Sequence, residues 1–530
     1  MINLDITDDN KFLVVQSCEK TELAQLRLSL TKELPNAFII KKTSPWAPTS
    51  RTFINEYGMI PIGCWLIFME ICKEYNFSLN LTDKLKTYLN SFSLDYETFK
   101  KYVDDLFEGA ENDKGEAFKP YDYQIEAAYQ LAKYRSCCGE ISTSGGKTLI
   151  TFILFKYLMD VEGMKDFLYI VPSVDLATQS AERYEEYESY LKKHSHSWTT
   201  GILKGGLKKK EIEAANNCTI LFGTFQSLCR KDADFFSRFT VHIGDECHHF
   251  TGSESLKNIL NKCSNLKFSF GVTGTFPKKG SYGSVMLQSL LGPIVHIFSA
   301  HQLIHKEKKG TPIYIVFEIM DYADVEHKEL LYVMRMKADP NNPRAGAKNL
   351  KEEEKYITNS YSRKKYICDL AIKTKQNTLI IFADIQGGYG KEIYEYINHN
   401  SSKNVYYIDG NTPNENREYY KQQMKNDEDG NTIIVASKGV FGEGIDIPNI
   451  YNIFLIETSK SERIVRQICG RGLRLSEGKD KVIVFDFVDD LRYSTSGQKR
   501  DNYIWKHYKE RKKIYKEQGF PIYEQKISFA

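Results

Sequence analysis

Short apolar runs bounded by turn residues recur along most of this chain. Phe167–Val171, Cys218–Gly223, Phe239–Gly244 and Phe268–Val272 are too short for helices and lack polar alternation, which predicts strands buried on both faces. Each runs into small or charged residues: Pro172-Ser173 with a helix from Asp175, Thr224-Phe225-Gln226-Ser227, Asp245-Glu246, and Thr273-Gly274-Thr275. Leu149–Met159 is apolar enough and long enough for a buried helix. Strand, turn and helix in alternation predict a parallel sheet with helices on both faces and reactive residues at the strand ends. A polar stretch with Pro340-Asn341-Asn342-Pro343 and Lys351-Glu352-Glu353-Glu354 interrupts the series. A second series follows, with strands expected at Thr378–Phe382, Val405–Ile408, Thr432–Ala436, Ile453–Ile456 and Lys481–Phe487.

The expected fold class is therefore α/β, with two tandem parallel-sheet lobes. Val14-Val15, Ala37–Ile40 and the helix-like run Trp65–Cys72 add a small α+β unit with its own core at the front. The tail after Asp490 should be helical and basic. The expected divisions are 1–109, 110–305, 306–490 and 491–530.

Composition narrows the function classes. With 42% hydrophobic and 27% charged residues over 530 positions, the chain reads as ordinary globular protein of several domains. No run approaches a membrane span, and Met1–Asp9 is acidic without a signal-peptide layout, so a cytoplasm-like compartment is expected. Eleven cysteines with no C-x-x-C pair read as reduced core residues, and His248-His249 lack a second ligand pair at zinc spacing. Cys247 reads as a packing residue rather than a nucleophile. A net charge of only +3 means that a nucleic-acid partner must use a local basic groove. Lys204–Lys210, Lys41-Lys42 with Arg51, and Lys499–Lys516 with Tyr503, Trp505, Tyr508 and Tyr515 are candidates, although each such patch is more often a solvated helix face than a binding surface.

Ser142-Thr143-Ser144-Gly145-Gly146-Lys147-Thr148 has the end of a phosphate-binding loop: glycines for close backbone approach, a lysine for terminal phosphates, a hydroxyl for Mg²⁺. Ile141 stands where the general pattern has glycine, so the loop alone reads as readily as a turn. Its position at a helix start favours a phosphate. Asp245 can hold Mg²⁺ and Glu246 can orient an attacking water, which completes an NTP site. The second series has no such loop. It offers Gly444 and Asp446 in a glycine-rich turn, then Gln467, Arg471 and Arg474. Arginines three apart share a helix face and suit forked contacts to phosphate, as an arginine finger does.

Taken in order, these motifs resemble the superfamily 2 helicases over roughly residues 115 to 490. The resemblance implies two RecA-like lobes that bind ATP and Mg²⁺. It makes Gln124, after Tyr123, the adenine-reading glutamine, although Tyr121 stands where many relatives carry a basic residue. Ser144 to Thr148 become motif I and Asp245 to His248 the DExH form of motif II. Pro172, Leu176 and Gln179, with Thr224 and Gln226, become contacts to one nucleic-acid backbone. Thr273, Gly274 and Thr275 become the coupling motif, Gly444 and Asp446 nucleotide contacts, and Gln467, Arg471 and Arg474 the catalytic motif VI.

Phe12–Leu81, the loop without its first glycine, Lys438-Gly439-Val440-Phe441 and Phe485-Asp486-Phe487-Val488-Asp489-Asp490 further resemble the UvsW recombination helicases of tailed phages. That implies a monomer remodelling branched DNA (forks, junctions, D-loops or R-loops) in recombination, repair and replication, with 3′ to 5′ movement, in the host cytoplasm if viral. DNA with single-stranded regions is the implied partner, with RNA–DNA hybrid a further substrate. A duplex translocase, an RNA helicase and an inactive nucleic-acid scaffold are the alternatives. The retained Lys147, acidic pair and arginines weigh against the scaffold. The front domain is either a module for duplex arms or a buttress for the first lobe.

Overall fold

The structure, a computed structural model, describes every residue except 91–92, 193–197, 207–208, 252–253, 323–342, 384–387, 443–448, 457–464, 466–478, 496–497 and 530. It divides into two compact units, Met1–Phe298 and Ser299–Ala530.

The first unit opens with a four-stranded sheet ordered Met59–Pro61, Phe12–Ser17, Ile2–Ile6, Leu79–Leu81. Ile2–Ile6 alternates buried and half-buried residues, as a strand covered on one face must. Its core of Leu4, Leu13, Phe68 and Ile71 runs on into Val285 and Met286 of helix Tyr282–Leu291, so the small domain shares its core with the lobe that follows. At the junction Gly63 comes so close to that helix that a Cβ would sit 1.9 Å from the Gln288 carbonyl oxygen. The apolar run at Ala37–Ile40 behaves differently from the expectation of a core segment. It forms helix Ala37–Thr43 with Ala37 buried and Phe38 and Ile39 exposed. Trp46 is 99% exposed. Helix Tyr96–Leu106, capped by Asp95 accepting from the Thr98 amide at 2.9 Å, delivers Phe99, Val103 and Leu106 to the lobe core.

The first lobe is a seven-stranded, wholly parallel sheet ordered Ile294–Phe298, Ser136–Ile141, Phe268–Thr273, Val241–Asp245, Phe167–Val171, Ile220–Thr224, Thr200–Leu203. Four of these strands are buried at every residue, because helices cover both faces. The strands ending at Ile141, Thr273 and Asp245 are neighbours, so the turns after them open side by side at the carboxyl end of the sheet.

The second unit repeats the design: Asn404–Ile408, Thr432–Ser437, Thr378–Phe382, Asn452–Leu455, Val482–Asp490, Ile313–Tyr322, Ile522–Phe529, again all parallel. The five expected strands are present, and Ile313–Tyr322 and Ile522–Phe529 extend the sheet beyond them. The tail therefore contains helix Tyr503–Glu517 followed by an edge strand. Trp505, Tyr508 and Tyr515 of that helix are buried against the sheet, while Lys506, Lys509, Lys513 and Lys516 face out. These three aromatic residues are thus core, and Tyr503 is half-buried. Buried Glu353 caps the helix, accepting from the Tyr503 and Ile504 amides at 3.1 and 2.9 Å and from Asn502 Nδ2 at 2.8 Å.

Candidate active site

Strand Ser136–Ile141 ends with Ile141 in the core, directly beneath the loop: a Cβ on Gly145 would lie 3.0 Å from Ile141 Cγ2. The residue that replaces the usual glycine is thus strand, not loop. The loop then folds back on itself, with the Gly145 amide donating to the Ser142 carbonyl at 2.9 Å. Ser144 (φ 70°) and Gly146 (φ 79°) take left-handed conformations that turn the chain into helix Lys147–Asp160. That helix is buried from Leu149 to Leu158, so its free N-terminal amides are anchored in the fold.

Lys147 Nζ lies 3.1 Å from Glu246 Oε1. Glu246 is itself left-handed (φ 47°), a strained conformation that pins its carboxylate toward the lysine. Thr273 Oγ1 donates to Glu246 Oε2 at 3.1 Å, and His248 Nδ1 lies 2.6 Å from the same hydroxyl. Thr275 joins them, its amide 3.1 Å from Thr273 Oγ1. The loop, the acidic motif and the Thr273-Gly274-Thr275 turn thus form one continuous polar line. Gly274 seats this turn on the loop: a Cβ there would lie 2.8 Å from Thr143 Oγ1.

The two acids differ in electrostatic setting. Burial, and then the Glu246 charge, hold the Asp245 carboxyl up at about 6. Burial also disfavours ionised Glu246, but Lys147 and His248 outweigh it and keep that carboxyl well below the usual range. Asp245 Oδ1 accepts from the Glu246 amide at 2.8 Å and Oδ2 from the Tyr169 hydroxyl at 3.3 Å. The Thr148 hydroxyl has no hydrogen-bond partner among the described residues. A carboxylate with spare lone pairs and an uncommitted hydroxyl fit a Mg²⁺ ion, which prefers oxygen ligands. Burial pushes the Cys247 thiol well above its ordinary range, which suits packing.

Gln124 lies against the loop, its Oε1 accepting from the Tyr121 amide at 2.9 Å and its Nε2 donating to the Gly145 carbonyl at 3.5 Å. One N–H and one lone pair remain for a base. Tyr123 stacks on Phe298 with centroids 4.5 Å apart. Pro172 precedes Ser173, whose Oγ caps helix Val174–Tyr190 by accepting from the Leu176 amide, and Gln179 lies within that helix. Thr224 is buried as the cap of helix Phe225–Leu228, with Oγ1 3.3 Å from the Ser227 amide, while Gln226 is exposed. Gly444, Asp446, Gln467, Arg471 and Arg474 lie outside the described residues.

Sequence reading passed over Tyr169, Thr143 and Phe298. Tyr169 sits mid-strand, where periodicity marks it as core, and Phe298 reaches Tyr123 only through the tertiary fold.

Two family models match in tandem, one on each lobe. The type III restriction enzyme res subunit family covers residues 117–278, and the helicase conserved C-terminal domain covers 362–476. The chain is a superfamily 2 helicase. It is 29% identical over 412 residues to the ATP-dependent DNA helicase uvsW of Enterobacteria phage T4, covering 76% of each chain. It is 23% identical over 460 residues to the DNA 3′-5′ translocase XPB2 of Sulfurisphaera tokodaii, covering 80% of this chain and 96% of that one. The fold matches a fragment of a putative HsdR subunit of a type I restriction enzyme from Vibrio vulnificus at a TM-score of 0.53 and 15% identity, over 84% of this chain and 74% of that one. The helicase is an ATP-dependent enzyme acting on nucleic acid. Among the described residues no helix is long and apolar enough to cross a membrane.

Proposed function

We propose that this helicase remodels branched DNA, moving 3′ to 5′ along one strand as a monomer in recombination, repair and replication, in a host cytoplasm. The observation that carries the reading is the front domain. It is fastened to the first lobe through a shared core at Val285 and Met286, and it presents exposed Phe38, Ile39 and Trp46 beside exposed Lys41 and Lys42. Exposed rings beside cations suit unpaired bases and their phosphates. Similarity to the phage DNA helicase over 76% of both chains supports the substrate class, and the printed polarity of the XPB2 translocase supports the direction.

In this reading Lys147 neutralises the terminal phosphates of ATP, and Ser144, Gly145 and Gly146 bring backbone amides to them. Thr148 and Asp245 would hold Mg²⁺, which draws charge from the phosphates. Glu246, ionised by its neighbours, accepts a hydrogen bond from the attacking water and aims it. Release of Lys147 from Glu246 toward the nucleotide frees the carboxylate for that task. Thr273 and His248 carry the change in Glu246 toward Thr275, Gln124 and Tyr123 hold the base, and Pro172, Gln179, Thr224 and Gln226 line the strand. Gln467, Arg471 and Arg474, with Gly444 and Asp446, would complete the charge stabilisation.

The test is ATP turnover and strand products across forks, four-way junctions, D-loops, RNA–DNA hybrids, linear duplex and single-stranded RNA. The reading expects forks and junctions to stimulate most and to yield remodelled strands. Greatest stimulation by single-stranded RNA would make it an RNA helicase, and turnover on linear duplex without strand products would make it a translocase.

A further inference from the structure

Strand Phe167–Val171 is apolar throughout except for the hydroxyl of Tyr169, which is fully buried, its ring packed on Phe222 and Tyr184 at centroid distances of 4.9 and 5.7 Å. A phenylalanine would fill the same space, and a buried phenol costs free energy unless its O–H finds a partner. The register of the sheet supplies one. Tyr169 pairs with Ile243 on the neighbouring strand, and Asp245 follows two residues later on the same face. The hydroxyl reaches across and donates to Asp245 Oδ2 at 3.3 Å, while the Glu246 amide donates to Oδ1 at 2.8 Å. Each oxygen of the carboxylate is thus held by one donor, which fixes its plane and leaves each a spare lone pair.

A second hydroxyl continues the line. Thr151, fully buried in the second turn of helix Lys147–Asp160, has Oγ1 3.0 Å from the Thr148 carbonyl, to which it donates, and 3.4 Å from the Tyr169 hydroxyl. The Tyr169 proton goes to Asp245, so the one proton of Thr151 is shared between that carbonyl and the Tyr169 oxygen. Thr148, whose free hydroxyl suits Mg²⁺, is in this way joined to the tyrosine that holds Asp245. Tyr184 makes the contrast: its hydroxyl is buried beside the same ring but bonds neither Asp245 nor Thr148.

We infer that Tyr169 is a positioning residue of the nucleotide site, whose hydroxyl, braced by Thr151, presents the Asp245 carboxylate and the Thr148 turn to Mg²⁺ as one preset pair. Partners of this kind, one bond behind the ligands, orient them and raise metal affinity. That the ion is Mg²⁺ held with ATP rests on the function proposed above.

Full-length Tyr169→Phe, Thr151→Val and Tyr184→Phe test it by equilibrium binding of a non-hydrolysable ATP analogue, titrated with Mg²⁺ and repeated in chelator, with melting as a check on the fold. Tyr169→Phe should need about tenfold more Mg²⁺ for half-maximal tight binding, yet bind the analogue within about twofold of the wild type in chelator. Steady-state turnover should show the same split, with kcat restored toward wild type at high Mg²⁺. Thr151→Val should shift the Mg²⁺ requirement in the same direction by less, and Tyr184→Phe should leave it unchanged. Melting of Tyr169→Phe should fall by no more than about 3 °C, as for one lost hydrogen bond. A wild-type Mg²⁺ requirement in Tyr169→Phe would overturn the inference. Equal loss of affinity with and without Mg²⁺ would also overturn it, by making the hydroxyl a packing group of the pocket, as would an equal shift in Tyr184→Phe, which would mark general softening of the core. A wild type that binds the analogue equally well with and without Mg²⁺ would remove the Mg²⁺ site proposed above, and the role of Tyr169 with it, before any variant is compared.

Discussion

Asp245 and Glu246 lie at the end of a strand of the first lobe, and Asp486, Asp489 and Asp490 lie along one of the second, but the two groups live in opposite surroundings. In the second group each carboxylate meets a committed arginine. Arg363 and Asp489, both fully buried, pair at 2.8 Å, and the guanidinium also bonds the Tyr389 hydroxyl and the Ile456 carbonyl. Arg511 forks onto Asp486 at 2.8 and 2.7 Å, with the Tyr515 hydroxyl at 3.0 Å, which ties the tail helix to the sheet. Arg492 holds Asp490 in the same way. In the first lobe the acids sit beside a left-handed backbone, a single lysine contact and an uncommitted threonine hydroxyl. Committed ion pairs fix architecture, whereas a strained backbone, a displaced carboxyl pKa and a threonine hydroxyl without a partner among the described residues mark a place where a ligand completes the structure.

The sharpest break of this contrast is Arg363→Ala. It leaves Asp489 charged and buried without its partner, which costs ~3–5 kcal/mol. The melting transition of the second unit should fall by roughly 10 °C, and a loss of only a degree or two would show that the pair is not architectural. Lys147→Ala should do the reverse: leave melting nearly unchanged and lower ATP turnover at least ~10²-fold, as loss of a preorganised charge does. Turnover close to wild type would remove Lys147 from the chemistry.

A finer test uses the raised carboxyl of Asp245. A carboxyl held up at about 6 when folded favours the fold while protonated and loses that contribution as pH rises through about 6. Asp245→Asn should therefore stabilise the nucleotide-free protein at pH 8, on the order of 3 kcal/mol, and about half as much at pH 5, where the unfolded carboxyl is already ionised. Equal melting shifts at the two pH values would contradict the displaced pKa. The smallest effect is expected from Gly146→Ala, where a Cβ would lie 2.1 Å from Gln124 Nε2 on a left-handed backbone. Strain of ~1–2 kcal/mol at that position and a displaced Gln124 should raise KM for ATP about 3–10-fold with less change in kcat; a normal KM would separate Gln124 from nucleotide binding.

Much of this was readable before any coordinates. All-apolar strands such as Phe167–Val171 have no period to misread, and the turns after them carry the polar residues that meet at the carboxyl end of the sheet. The tail was harder. Trp505, Tyr508 and Tyr515 recur at helical spacing with lysines between them, a pattern that fits a buried stripe as well as a stacking surface, and only the sheet beneath decides between them. Strand Ile522–Phe529 lies at the sheet edge with mostly exposed side chains, so its sequence lacks the apolar run that marks a central strand.

Glu246→Gln tests the central assignment most directly, because it removes the charge aimed by Lys147, Thr273 and His248 while keeping the size of the side chain. The measurement is equilibrium ATP binding alongside single-turnover hydrolysis at saturating DNA. ATP affinity should stay within a few-fold of wild type while hydrolysis slows at least ~10²-fold, as expected for a group that acts on the attacking water. Hydrolysis at near wild-type rate with normal binding would place the catalytic carboxylate elsewhere.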